Sequence, residues 1–262
     1  MAAFGTGYIG GCMSVADALA ALYGRVMNVR PEEPRRSGRD YLVMSKGHCG
    51  TALCSALALR GFFPVEWLYT LNRLGSRLPS HCNRDLTPGV DASTGSLRQG
   101  ASFAAGFAPA KKLRQASGRV YAILGDGELQ EGQVREAAQF AAHHKPDKLT
   151  LLIDNNGAPL DGRGADISDP FDIRAKFSAF GFAAENAASD DPKAIATALE
   201  RSSPADIPRA VVLKTVKGAG CIFAERVFPN HHPSVTRRDA EDAIIEIEHR
   251  YRENLRPGGE PI

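Results

Sequence analysis

The 262-residue chain lacks any run of eighteen apolar residues, and its start shows no basic, apolar and small-residue leader, so neither a spanning helix nor a secretory signal is expected. Its five cysteines, Cys12, Cys49, Cys54, Cys82 and Cys221, are odd in number and contain no Cys-x-x-Cys pair. That argues against a zinc site or a disulfide framework and fits a reducing, cytoplasmic setting in which all five are structural thiols. An excess of one charge is also missing. The formal net charge is +2, and no basic run is long enough to grip nucleic acid or a membrane surface. Arg35, Arg36 and Arg39 fall in a Pro-rich loop and read as a solvated face. No Gly-x-Gly-x-x-Gly follows a strand near the start, which removes the dinucleotide-binding opening of a dehydrogenase. There is no internal repeat. What remains, 43% hydrophobic and 24% charged residues, suits one large globular α/β domain over 1–262 with a flexible Pro/Gly tail from about 255.

The most informative stretch is Ile123-Leu124-Gly125-Asp126-Gly127-Glu128-Leu129-Gln130-Glu131-Gly132, followed by Leu151-Leu152-Ile153-Asp154-Asn155-Asn156-Gly157. Each half is an apolar run that stops at oxygen-bearing side chains, as a buried parallel strand does where its carboxyl end opens into a loop. Ligands of open α/β sheets bind in the crevice beyond such ends. Two neighbouring strands would place the Asp126 carboxylate and the Asn156 amide oxygen at one rim. With a backbone carbonyl, water and phosphate oxygens, they suit the octahedral oxygen shell of Mg²⁺, with Ca²⁺ or Mn²⁺ as substitutes. Glycines beside Asp126 leave room for a diphosphate, and a helix starting near Gln130 would point its positive end at it. Asp and Asn after a strand are also ordinary turn residues. The paired pattern favours the clamp.

Elsewhere, Val15, Leu19, Leu22 and Val26 predict a helix over Ser14–Val26, and Tyr41–Met44 reads as a short strand before the turn Ser45-Lys46-Gly47-His48. Helices are expected over Thr51–Arg60, 64–74 and Gly100–Leu113, the last kinked by Pro109. The polar segment Ser76–Thr94 is a long loop, a length that usually carries function. Strand 120–124, helix 131–143, strand 149–153, helices 171–180 and 192–201, and strand 210–214 then alternate before a charged amphipathic helix over about 237–253. The fold class is therefore α/β, a mostly parallel sheet with helices on both faces.

Taken together, several stretches resemble the N-terminal, diphosphate-binding half of transketolase, a thiamine-diphosphate enzyme. They are Gly-Tyr-Ile-Gly-Gly (7–11), Ser-Val-Ala-Asp-Ala-Leu-Ala-Ala-Leu-Tyr (14–23), Ser-Lys-Gly-His (45–48), Pro-Gly-Val-Asp-Ala-Ser-Thr-Gly-Ser-Leu (88–97), Gly-Asp-Gly-Glu-Leu-Gln-Glu-Gly (125–132), Asp-Asn-Asn (154–156) and Lys-Thr-Val-Lys-Gly-Ala-Gly (214–220). The resemblance runs from about Gly5 to at least His231. It implies that Asp126, Asn156 and the Ala158 carbonyl ligate the metal. Thiamine diphosphate would contact His48, Gly95, Ser96, Leu97, Gly125, Asp126, Gly127, Glu128, Asn156 and His231. His81 would face substrate hydroxyls, and Glu131 would join a carboxylate relay at the subunit interface; with His48 and His231 these are the catalytic candidates. His143, His144, His232 and His249 are left as ordinary histidines.

Full-length transketolases continue into a pyrimidine-binding domain and a C-terminal domain. By resemblance this chain is the small subunit of a split transketolase, inactive alone and completed by a separately encoded partner in a two-plus-two assembly. Two departures stand out. Tyr8 replaces the family's usual histidine, and Arg98 replaces a usual glycine, as a solvent-facing side chain or as one that recognises a substrate carboxylate or phosphate. Pro109 and Arg135 are lesser departures, and the usual helix before Gly5 is missing or barely begun. These changes suggest a specialised acceptor, as in secondary metabolism. The alternatives are an α-subunit of a 2-oxo-acid dehydrogenase or decarboxylase, and a non-catalytic binding half.

Overall fold

Alternation along the central strands decides the architecture. In the computed structural model, which describes residues 1–96, 98–157, 169–203, 207–227 and 231–253, five strands form one sheet. They are β1 (Tyr41–Met44), β2 (Val120–Gly125), β3 (Leu149–Asn155), β4 (Ala183–Ala187) and β5 (Arg209–Lys214), in the order β1-β2-β3-β5-β4 and parallel throughout. Tyr121, Ile123, Leu152, Val211 and Leu213 face one layer; Val120, Ala122, Leu124, Leu151, Ile153 and Val212 face the other. A strand with apolar residues on both sides needs cover on both. The first layer is closed by α1 (Ile9–Ser14), α2 (Ala16–Ala21) and α3 (Gly50–Leu59), and by α7 (Pro192–Glu200). The second is closed by α4 (Gln99–Leu113), α5 (Gly132–His144) and α6 (Ile173–Ala179). Fully buried side chains such as Leu152 and Ile153 each contribute roughly 1.5–3 kcal/mol. The final helix, α8 (Arg237–Glu253), follows the expected span.

Several local features differ from expectation. The N-terminal helix is divided into α1 and α2 and ends in a π-helical turn, Leu22–Val26. Residues Val65–Thr70 make a 3₁₀ helix, and α4 continues through Pro109. The helix after Asp126 begins only at Gly132, preceded by a 3₁₀ turn, Gly127–Gln130. Strand β4 lies outside the sequence-based expectation, because Ala-Ala-Glu-Asn-Ala has little intrinsic strand preference. It exists by pairing with β5, where Glu185 accepts from the buried Arg209 guanidinium and from Arg201. Among the described residues no helix is long and apolar enough to cross a membrane.

Candidate functional site

The carboxyl ends of β1, β2, β3 and β5 open on one side of the sheet, and the candidate side chains gather there. Gly125 pairs with Asp154 in the β2–β3 register, so the two loops leave side by side. Asp126 ties them together: Oδ1 accepts the Gly127 amide at 2.8 Å and Oδ2 accepts the Gly157 amide at 2.6 Å. Its pKa is raised by burial first and by the nearby Asp154 charge second, against the pull of both amides and Lys46. A carboxylate so placed is stabilised by an added cation.

Asp154, one residue inside the end of β3, is a buried hub. It accepts from Ser14 Oγ at 2.7 Å, from Asn156 Nδ2 at 3.1 Å, and from Lys46 Nζ and Thr215 Oγ1. Burial opposes charge on both members of the Lys46–Asp154 pair; their mutual attraction and these donors more than offset it, raising the lysine pKa and lowering that of the aspartate. The hub also sets the Asn156 amide. A carboxylate only accepts, so Asn156 must turn Nδ2 toward it, and Oδ1 occupies the opposite edge of the amide plane.

Beside this rim stands a cluster of rings. Tyr8 lies 5.5 Å from His48, 5.6 Å from His81, 5.2 Å from His231 and 4.5 Å from His232, centroid to centroid, and His48 lies 5.0 Å from His231. Segments as distant as 8 and 232 therefore build one wall. Close backbone approach makes it possible. A Cβ at Gly11 would meet His48 Nε2 at 3.0 Å, and one at Gly47 would meet the Gly95 nitrogen at 2.7 Å. A Cβ at Gly95 would stand 3.5 Å from the His81 ring.

Cations crowd the same place. Lys46 and Lys217 are both buried; burial lowers the Lys217 pKa and Lys46 lowers it further. The His231 pKa falls to about 4, through burial first and then the Lys217, Lys46 and His232 charges. Like charges held together out of water form a receptor for an anion. The donor set fits the expected groups: Lys46, Lys217, His48 and His231 for a diphosphate, and Asp126 with Asn156 for a divalent cation. Among the described residues no three His, Cys, Asp or Glu side chains gather as a metal site, so a metal here needs amide, carbonyl and phosphate oxygens.

Glu128 turns inward, accepting from Ser45 Oγ and from the Gly125 amide at 3.1 Å, and burial pushes its pKa up to about 7. Glu131 pairs with Arg98 at 2.8 Å, and Arg98 itself adopts φ 76° where glycine would be unstrained. Its guanidinium is thus engaged within the chain. Ser96 is exposed beside Gly95, and Leu97 and Ala158 lie outside the described residues. Lys46, Asp154 and Lys217 fall within the sequence motifs, which by themselves give them no role. Their one recognisable signal is a lysine or aspartate close to a strand end.

The depressed His231 pKa carries a consequence for stability. Between about pH 4 and pH 6.5 the unfolded chain binds a proton at this position that the folded chain refuses, so stability falls as the pH drops through that window. Thermal unfolding of the cofactor-free chain from pH 7 to pH 5 should therefore show a smaller loss of Tm in His231→Gln than in wild type. Parallel curves would contradict the half-buried, cation-flanked placement.

The chain matches the family model for the transketolase thiamine diphosphate binding domain over residues 1–244. It is 41% identical to the 6-deoxy-6-sulfo-D-fructose transketolase subunit SqwG of Clostridium sp. (strain MSTE9), over 93% of this chain and 89% of that protein. It is 36% identical to one of the subunits of the apulose-4-phosphate transketolase of Actinobacillus succinogenes, over 92% of this chain and 87% of that protein. Its structure is similar to the crystal structure of a transketolase mutant from Pichia stipitis in complex with fructose 6-phosphate, with a TM-score of 0.88 and 28% identity, covering 94% of this chain. The chain spans 38% of the length of that transketolase.

Proposed function

The chain belongs to the transketolase family through its thiamine diphosphate binding domain, and from that premise we propose that it is the diphosphate-holding component of a two-component transketolase, moving a two-carbon ketol unit from a ketose to an aldehyde. The observation that carries the reading is the meeting of Asp126 and the Asn156–Gly157 loop at adjacent strand ends, beside a wall of Tyr8 and four histidines. Relatives named as transketolase subunits match along 87% and 89% of their own length, which supports a separately encoded pyrimidine-domain partner and a two-plus-two heteromer.

Thiamine diphosphate, when bound, supplies the nucleophilic carbon that accepts and passes on the two-carbon unit. The protein's task is to hold and orient. Asp126, Asn156 and the Ala158 carbonyl would hold Mg²⁺; Ca²⁺ or Mn²⁺ would serve the same oxygens. Lys46, Lys217, His48 and His231 would offer N–H donors to the diphosphate, and the close Gly47–Gly95 contact would keep the neighbouring turn narrow. His81, with burial lowering its pKa, stays neutral near pH 7 and can exchange hydrogen bonds with substrate hydroxyls. Tyr8, in place of a histidine, offers a phenol there. Glu131, held by Arg98, would face the partner. The two relatives act on an anionic sugar each, one sulfonated and one phosphorylated by name, so an anionic ketose donor is the substrate class in view. A cytoplasmic enzyme of specialised sugar metabolism is the setting that fits.

The test is reconstitution. This chain with thiamine diphosphate and Mg²⁺ should turn over a ketose at under about 1% of the rate of the chain plus its partner, because groups for proton transfer would be missing. Comparable rates without a partner would end the two-component reading.

A further inference from the structure

We infer that His232 is a substrate-contact residue of this site, locked by Thr6 as the Nδ1–H tautomer so that Nε2 offers a hydrogen-bond acceptor beside Tyr8 for a hydroxyl of the sugar. The inference rests on the function proposed above for the identity of the sugar, but its geometric half needs only the chain itself.

The tautomer follows from counting protons. Thr6 Oγ1 carries one hydrogen and donates it to the Pro233 carbonyl at 2.8 Å. A carbonyl has no proton to return. Toward His232 Nδ1, 3.2 Å away, the hydroxyl can only accept, so the hydrogen in that contact belongs to Nδ1. A neutral imidazole has one N–H, which leaves Nε2 with its lone pair. The frame is fixed by backbone pairing of two distant strips: Val235 donates to Gly5 at 2.9 Å, Gly7 to Pro233 at 3.3 Å, and Thr6 bridges Ser234.

The position suits a substrate. His232 is exposed, and its Nδ1 edge is taken by Thr6, so the opposite edge with Nε2 is the one open to an incoming molecule. Its ring packs edge-to-face on Tyr8 at 4.5 Å, and Tyr8 in turn touches the His48, His81 and His231 rings. His232 is thus the exposed ring of the cluster, with a lone pair and a phenol on adjoining rings. A bare lone pair accepts from a hydroxyl and repels an anion, so the group it recognises is a carbinol of a polyhydroxy ketose, not its phosphate or sulfonate tail.

Two measurements test this. Long-range ¹H–¹⁵N spectra of the labelled chain, without cofactor, should show His232 as Nδ1–H in wild type and shifted toward Nε2–H in Thr6→Val. An Nε2–H wild type overturns the tautomer and with it the proposal. In the partner-completed enzyme, His232→Asn can keep a side-chain donor to Thr6 but removes the Nε2 acceptor. The KM for fructose 6-phosphate or 6-deoxy-6-sulfo-D-fructose, whichever is turned over faster, should rise about tenfold, the worth of one hydrogen bond. Thiamine diphosphate affinity should not move, and His232→Gln, with an acceptor near the Nε2 position, should recover part of the KM. An unchanged KM, or an equal loss of cofactor affinity, overturns the substrate role. If the wild-type pair turns over neither sugar, the functional reading fails and the substrate role with it, while the spectra still decide the tautomer.

Discussion

Asp154→Asn should cost the folded chain about 3–5 kcal/mol, read from urea unfolding without cofactor, because it strands a buried lysine ammonium. Lys46 and Asp154 side chains are 4% and 2% exposed, and the carboxylate is the lysine's ion-pair partner. The reciprocal change, Lys46→Met, should cost less. Asp154 would still accept from Ser14, Thr215 and Asn156, whereas the lysine ammonium relies on the carboxylate it would lose. The double variant should recover part of the loss, since neither charge is then left alone. If Asp154→Asn does not fold, recovery of a folded chain in the double variant is itself the sign of the coupling. Equal losses in the two single variants would be inconsistent with the hub described above. A second effect follows from geometry: without the carboxylate, Asn156 loses the acceptor that fixes its amide, so metal-dependent cofactor binding should weaken even in molecules that fold.

Asp126→Asn should separate the two observables. Burial and the Asp154 charge raise the Asp126 pKa, so its ionised form opposes folding when no cation is present. Removing the charge sacrifices acceptor capacity toward the Gly127 and Gly157 amides but relieves that repulsion, and cofactor-free stability should stay within about 1 kcal/mol of wild type. Binding should collapse. Loss of an outer partner of a metal ligand already costs about 10–100-fold, so loss of the carboxylate proposed to ligate the metal should exceed about 100-fold in Mg²⁺-dependent thiamine diphosphate affinity by calorimetry. Ketol transfer by the partner-completed enzyme should fall with it, and chelating the metal should reduce wild type to the same level. Full affinity in Asp126→Asn, or no response to a chelator, would remove Asp126 from the metal site.

Much of this is legible in the chain. Parallel strands buried on both faces write themselves as continuous Val, Leu and Ile runs, and their ends are marked where Gly125-Asp126-Gly127 and Asp154-Asn155-Asn156 break the run. Strand β4 is not legible, since Ala183–Ala187 carries no strand preference and owes its conformation to β5 and to Arg209. In sequence Arg98 is open between solvent and substrate; in the fold it lies on Glu131. His232 reads as ordinary because a lone histidine has no local signal, and its role depends on Thr6, more than two hundred residues away.

The sequence by itself determined the α/β fold class and where Asp126 and Asn156 follow strand ends, because periodicity and strand-end residues are local and survive in one dimension; the family came through the resemblance of its motifs to transketolase. Only the tertiary structure decided which charges are paired, which way the Asn156 amide faces, and which rings share the wall with Tyr8. Those depend on proton counting and desolvation among side chains brought together from distant segments, and neither quantity exists until the chain has folded.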